Sequence, residues 1–165
     1  MVRVEAVLDS WKAVRKDASQ AVLDMPAGQL DFRPTADLMT FREIALHILW
    51  AGQALAGMLA DGVGDFQANR ELMKNYFEGV PEGAAAEEIA RRMNDGLERD
   101  CARLGGLAAA FWPEMITRLD GQPATRLEML QFSKEHELTH RAQLFLYLRL
   151  NGVVPPTTRR RMKKP

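Results

Sequence analysis

A single cysteine, Cys101, excludes any internal disulfide in this 165-residue chain and fits a reducing compartment. Charge of one sign is also missing. Lys plus Arg equal Asp plus Glu at 22 each, so nothing in the balance favours nucleic acid, a membrane surface or an acidic partner. The first ten residues lack a basic segment leading into an unbroken apolar stretch, so no signal peptide is expected. No charge-free apolar run is read as long enough to span a bilayer. Together these absences lead to the expectation of a cytoplasmic protein with no membrane and no nucleic-acid partner. Strand-like alternation is scarce as well, and no internal repeat or low-complexity tract occurs.

What the chain does have is helical periodicity. Val4, Val7, Leu8, Trp11, Val14, Ala18, Ala21 and Met25 recur at steps of three and four and build one apolar stripe over residues 3–24. Thr40-Phe-Arg-Glu43 reads as a capping box that opens a second helix running through Ile44, His47, Ile48, Ala51, Leu55 and Met58. Asp61-Gly-Val-Gly64 stops it. Residues 67–77 suggest a short helix within a long connection. A third long helix is expected over 84–107 from Ile89, Met93, Leu97, Cys101 and Leu104, with Gly96 as a local weakness. Residues 108–123 read as an extended connection packed on the rest. Thr125-Arg-Leu-Glu128 is a second capping box, and the last helix carries Leu127, Leu130, Leu138, Phe145 and Leu148 to a stop at Asn151-Gly152. The expected fold is all-α: a four-helix bundle over residues 1–156, with a long crossover between helices 2 and 3. The basic stretch 157–165 is expected to be a disordered tail.

The chemistry-bearing residues are few. His136 and His140 lie four apart on the last helix. Four residues advance about 400°, so both imidazoles leave the same face and can grip one metal ion. A first-row divalent metal wants a third protein ligand, and His47 is the remaining histidine, set in the apolar run Ile44–Trp50. An isolated histidine on an apolar face is more often a hydrogen-bonded core residue. An i,i+4 pair also arises on exposed helices without a ligand. Spacing alone leaves both readings open. A rival metal reading comes from His136-Glu137-Leu-Thr-His140, which matches the H-E-x-x-H of zinc hydrolases, with Glu137 as general base. Such enzymes usually take a third ligand downstream, and residues 141–165 contain no His, Asp or Glu. That reading therefore ranks below the three-histidine site. Glu43 is one turn before His47, but its capping role explains it. Gln143 near the His136–His140 face reads as an ordinary polar edge residue, and Cys101 and the methionines as core.

Two sequence segments carry a family resemblance. His136-Glu-Leu-Thr-His140-Arg-Ala-Gln143, followed by Tyr147-Leu-Arg-Leu-Asn-Gly152 and Pro155-Pro156, resembles the last helix of the DinB superfamily, the DinB/YfiT-like proteins. Phe32-Arg-Pro34 with Phe41-Arg-Glu-Ile-Ala-Leu-His47 resembles that family's entry into its second helix. The resemblance implies a bundle in up-down-down-up order and a divalent metal (Zn, Ni or Fe) on His47, His136 and His140. It also implies a homodimer and a small-molecule substrate with a low-molecular-weight thiol, as in thiol-dependent S-transferases and isomerases. A non-catalytic metal-binding or dimerising bundle is the alternative. Thr139 and Ala142 stand where family members commonly carry His and Gly.

Overall fold

The computed structural model describes residues 3–162. Four long helices dominate it: α1 (Val4–Asp24), α2 (Phe41–Ala60), α3 (Ala86–Gly105) and α4 (Arg126–Leu150). α1 and α2 scarcely touch each other. Each packs instead against both α3 and α4. The helix ends are joined by specific contacts. Arg42 at the start of α2 donates to Ala84 O, just before α3, at 2.6 Å. Arg126 at the start of α4 donates to Gly62 O and Val63 O beyond the end of α2. Tyr147 Oη, near the end of α4, donates to Met39 O before α2.

Both capping boxes form as the spacing requires. Thr40 and Thr125 accept from the backbone N–H of Glu43 and Glu128, whose carboxylates accept in return. α2 is long and apolar enough to cross a membrane by length and composition, though it carries Arg42 and Glu43 and is not a charge-free run. However, 72% of its most apolar window is buried, so that apolar surface is already used in packing.

The core consists of two apolar clusters with a polar layer between them. The first gathers Leu8 and Trp11 with Leu55, Met58, Leu97, Cys101 and Leu130. The second gathers Ala18 and Val22 with Ile44, Ile48, Met93, Leu144 and Leu148. Between them Arg15 and Glu137, each 2% exposed, form a buried ion pair. Arg15 Nε and Nη2 donate to the two Glu137 oxygens at 2.5 and 2.8 Å, and Trp11 Nε1 donates to Glu137 Oε2 at 2.5 Å. Arg15 Nη1 also donates to Met93 O of α3 at 2.6 Å, and Nη2 comes within 3.5 Å of Ile48 O of α2. One guanidinium therefore touches the other three long helices. Gly52 makes room for it, because a Cβ there would lie 2.5 Å from Arg15 Nη2. Gly96 abuts the Gln53 amide in the same way at 3.0 Å, which accounts for a glycine in the middle of α3.

Four sequence expectations are corrected or refined. The stretch 108–123 is not simply extended: β1 (Met115–Thr117) pairs antiparallel with β2 (Pro123–Thr125), a short hairpin in a mostly helical fold. The tail is not disordered over its described part. Pro156–Met162 forms a short helix, α5, whose Arg159 and Arg160 pair with Asp24 and Asp17 of α1. Asp17 is buried, and this anchors basic residues that composition alone assigns to solvent. Residues 163–165 lie outside the described residues. On α4, Leu138 is exposed, and the buried face runs instead through Leu130, Ser133, Glu137, Leu144 and Leu148. The helix is rotated so that Glu137 meets Arg15. The expected short helix at 67–77 is a 3-10 helix at Arg70–Tyr76, and Tyr76 packs flat on Gly57.

Glu137→Ala leaves the Arg15 charge buried without a partner and should destabilise the protein by about 3–5 kcal/mol in urea unfolding. Asp100 of α3 supplies a pH test. Burial pushes its carboxyl from 3.8 up to about 6. The folded state therefore holds the proton more tightly than the unfolded chain. Asp100 weakens the fold fully above about pH 6, and the penalty vanishes as pH falls below about 4. Asp100→Asn should raise Tm by roughly 5–10 °C at pH 8 and leave it nearly unchanged near pH 4. Equal gains at both pH values would rule out this origin.

Candidate metal centre

The three histidines converge. His47 leaves α2 as His136 and His140 leave α4, and their ligand atoms all lie within 4.8 Å of one another. His136 Nε2 is 3.3 Å from His47 Nε2 and 3.2 Å from His140 Nε2. With metal–nitrogen bonds of about 2.0–2.1 Å, two imidazoles on a tetrahedral ion hold their nitrogens roughly 3.3–3.4 Å apart. The spacing fits that requirement. Hydrogen bonding explains it poorly, because His136 Nε2 faces two nitrogens of its own kind and one ring nitrogen carries at most one proton.

Burial and the two neighbouring imidazoles push His136 down to about 4, and burial chiefly lowers His47 as well. His136 is therefore neutral at pH 7, with its lone pair free to donate. His140 Nδ1 lies 2.7 Å from Gln143 Oε1. An amide oxygen only accepts, so Nδ1 carries the proton, which leaves Nε2, facing His136, as the ring nitrogen that can ligate a metal. Sequence reading took Gln143 for a polar edge residue. Its position three residues after His140, one helical turn on, was the usable signal.

The surroundings are aromatic. The Trp50 ring stands 5.7 Å from His47, and the Phe132 ring stands 6.5 Å from His136. Arg118, placed by the hairpin, lies over Phe132 at 4.6 Å. Glu43 is occupied in its capping box. Glu137 points away from the histidines into the ion pair with Arg15, out of solvent. It cannot act as the general base of a zinc hydrolase, and the H-E-x-x-H reading falls. Cys101 is buried in the first apolar cluster, and burial pushes its thiol up to about 12, so it is inert core as expected.

The DinB superfamily model matches residues 10–144, a span that holds all three histidines. The chain belongs to the DinB superfamily. A crystal structure of a DinB-like protein from Bacillus subtilis, YjoA, superposes with a TM-score of 0.68 at 19% identity, covering 89% of this chain and 92% of that one. At that identity the likeness speaks for the shared fold. No curated protein matches the chain. DinB proteins are a metal-associated family, and the His triad of this member could hold a metal.

Replacing Gln143 with Leu removes the acceptor that orients His140. Metal affinity should fall about 10–100-fold by competition with a chromophoric chelator, with the helical circular dichroism unchanged. Unaltered affinity would show that Gln143 does not orient the ligand.

Proposed function

We propose that this DinB-family chain is a divalent-metal-dependent enzyme. Its His47, His136 and His140 hold Zn, Ni or Fe through Nε2 and serve a thiol-dependent S-transferase or isomerase reaction on small electrophiles. The observation that carries this reading is the convergence of the three imidazoles, with His136 Nε2 at metal-like distances of 3.3 and 3.2 Å from the Nε2 atoms of His47 and His140 and Gln143 Oε1 against His140 Nδ1. Imidazole donors suit all three metals. When bound, such an ion stabilises the anionic form of a thiol or water and so supplies a nucleophile near neutral pH. The chain's own residues do the rest. Three imidazoles supply the donors, and Trp50 and Phe132 shield the flanks from water. Glu137 stays withdrawn, so the proton of an incoming thiol leaves to solvent or to the electrophile.

The finer architecture follows the same reading: a four-helix bundle in up-down-down-up order. In support, α2 and α3 begin at the same end, α4 begins where α2 stops, and α5 returns Arg159 to the end of α1. A cytoplasmic homodimer belongs to this proposal too. Leu146, Leu150 and Val154, exposed along the end of α4 and beyond it, offer apolar surface to a second copy.

The purified protein should contain about one divalent metal per chain by elemental analysis, and the double variant His47→Ala/His140→Ala should contain none. The metal-loaded wild type should transfer a low-molecular-weight thiol to at least one small electrophile in a screen, and the double variant should not. Wild-type metal content in the variant would place the metal elsewhere. Full metal loading without any transfer would favour the non-catalytic bundle.

A further inference from the structure

We propose that the groove beside His47 binds the uncharged, apolar body of the substrate, an aryl or branched-alkyl group. Residues Leu46, Trp50, Phe77 and Val80 would set that preference. The inference rests on the metal reading above for the position of the reacting head, but the groove is a separate observation. It is an open groove of about 390 Å³, within the range of small-molecule sites. Its walls are Met39, Leu46, Trp50, Phe77 and Val80, and His47 is the wall it shares with the triad. A compound whose sulfur or oxygen sits among the three Nε2 atoms can therefore lay its remainder along these side chains.

The lining also defines what is refused. None of its residues carries a positive charge, and its single charged side chain is the Glu43 carboxylate. Glu43 accepts from the Thr40 N–H at 2.6 Å, which holds it anionic below the usual carboxylate range. An anionic substituent lying along the groove would leave water for apolar walls and meet the like charge of Glu43, and the lining side chains offer no cation of their own. A flat or branched hydrocarbon gains contact with two aromatic rings and three aliphatic side chains. The groove thus selects against dicarboxylates and for neutral compounds with an apolar body.

The test is equilibrium binding rather than turnover. Zinc-loaded protein is titrated calorimetrically with benzyl mercaptan, 2-mercaptoethanol and mercaptosuccinate. Benzyl mercaptan should bind tightest, by about tenfold or more over 2-mercaptoethanol, and mercaptosuccinate weakest. Val80→Asp, in the loop wall and away from the histidines, should abolish the benzyl preference, with metal content read separately by elemental analysis to show that the triad is intact. Phe77→Ala, on the groove wall outside α2 and α4, should weaken the benzyl preference should Val80→Asp fail to fold. Equal binding of the three thiols, or a preference that survives both variants, overturns the proposal. Titrating metal-free protein with benzyl alcohol separates the two readings. Binding that Val80→Asp abolishes upholds the groove even if no metal loads, whereas metal loading without any aryl preference removes the groove and spares the metal. If sedimentation shows that Val80→Asp separates a wild-type dimer, the groove is a subunit contact and the proposal falls.

Discussion

The buried pair of Arg15 and Glu137 is the constraint around which the rest of this molecule is arranged. Two charges removed from water cost several kcal/mol each, and their attraction repays this only where every polar atom finds a partner. Here the partners come from the whole bundle: Trp11 from α1, the Met93 carbonyl from α3, and the neighbourhood of Ile48 O from α2. Gly52 is bare because the guanidinium occupies the space a side chain would fill. The pair also fixes the rotation of α4. With Glu137 turned inward, its neighbours His136 and His140 are swung toward α2, where His47 waits one residue from Ile48. The metal-ready geometry and the ion pair are thus two faces of one helix orientation.

This explains why a motif that resembles a hydrolase signature is something else. The five residues His136 to His140 carry the right letters, but a helix distributes them around its axis at 100° steps. The two histidines leave on one side and the glutamate on another. Which side faces the core is decided by the partner on α1, far away in sequence.

Much of this was legible beforehand. Both capping boxes, the four long helices and the three histidines follow from short-range chemistry: a threonine three residues before a glutamate, apolar residues at three- and four-step spacing, imidazoles one turn apart. What stayed hidden depends on pairings across the chain. Arg15 interrupts the stripe Leu8, Trp11, Ala18 at a core position, a signal that a charge was to be buried, but nothing local names Glu137 as its partner. Leu138 was assigned inward on hydrophobicity and lies outward because the ion pair sets the phase of α4. The hairpin at 115–125 is three residues per strand, too short for alternation to register. The basic end of the chain reads as solvated until Asp17 and Asp24 are seen across from it.

The polar layer carries a further consequence. An apolar half-core cannot tell one helical turn from the next, since leucines and alanines pack tolerably after a slip of about 5.4 Å. A guanidinium is less forgiving. Sliding α1 by a turn against α4 would drive Arg15 into hydrocarbon and leave Glu137 facing nothing. The one charged rung between two greasy ones acts as a notch on a ratchet, giving the four helices a single height at which they fit together.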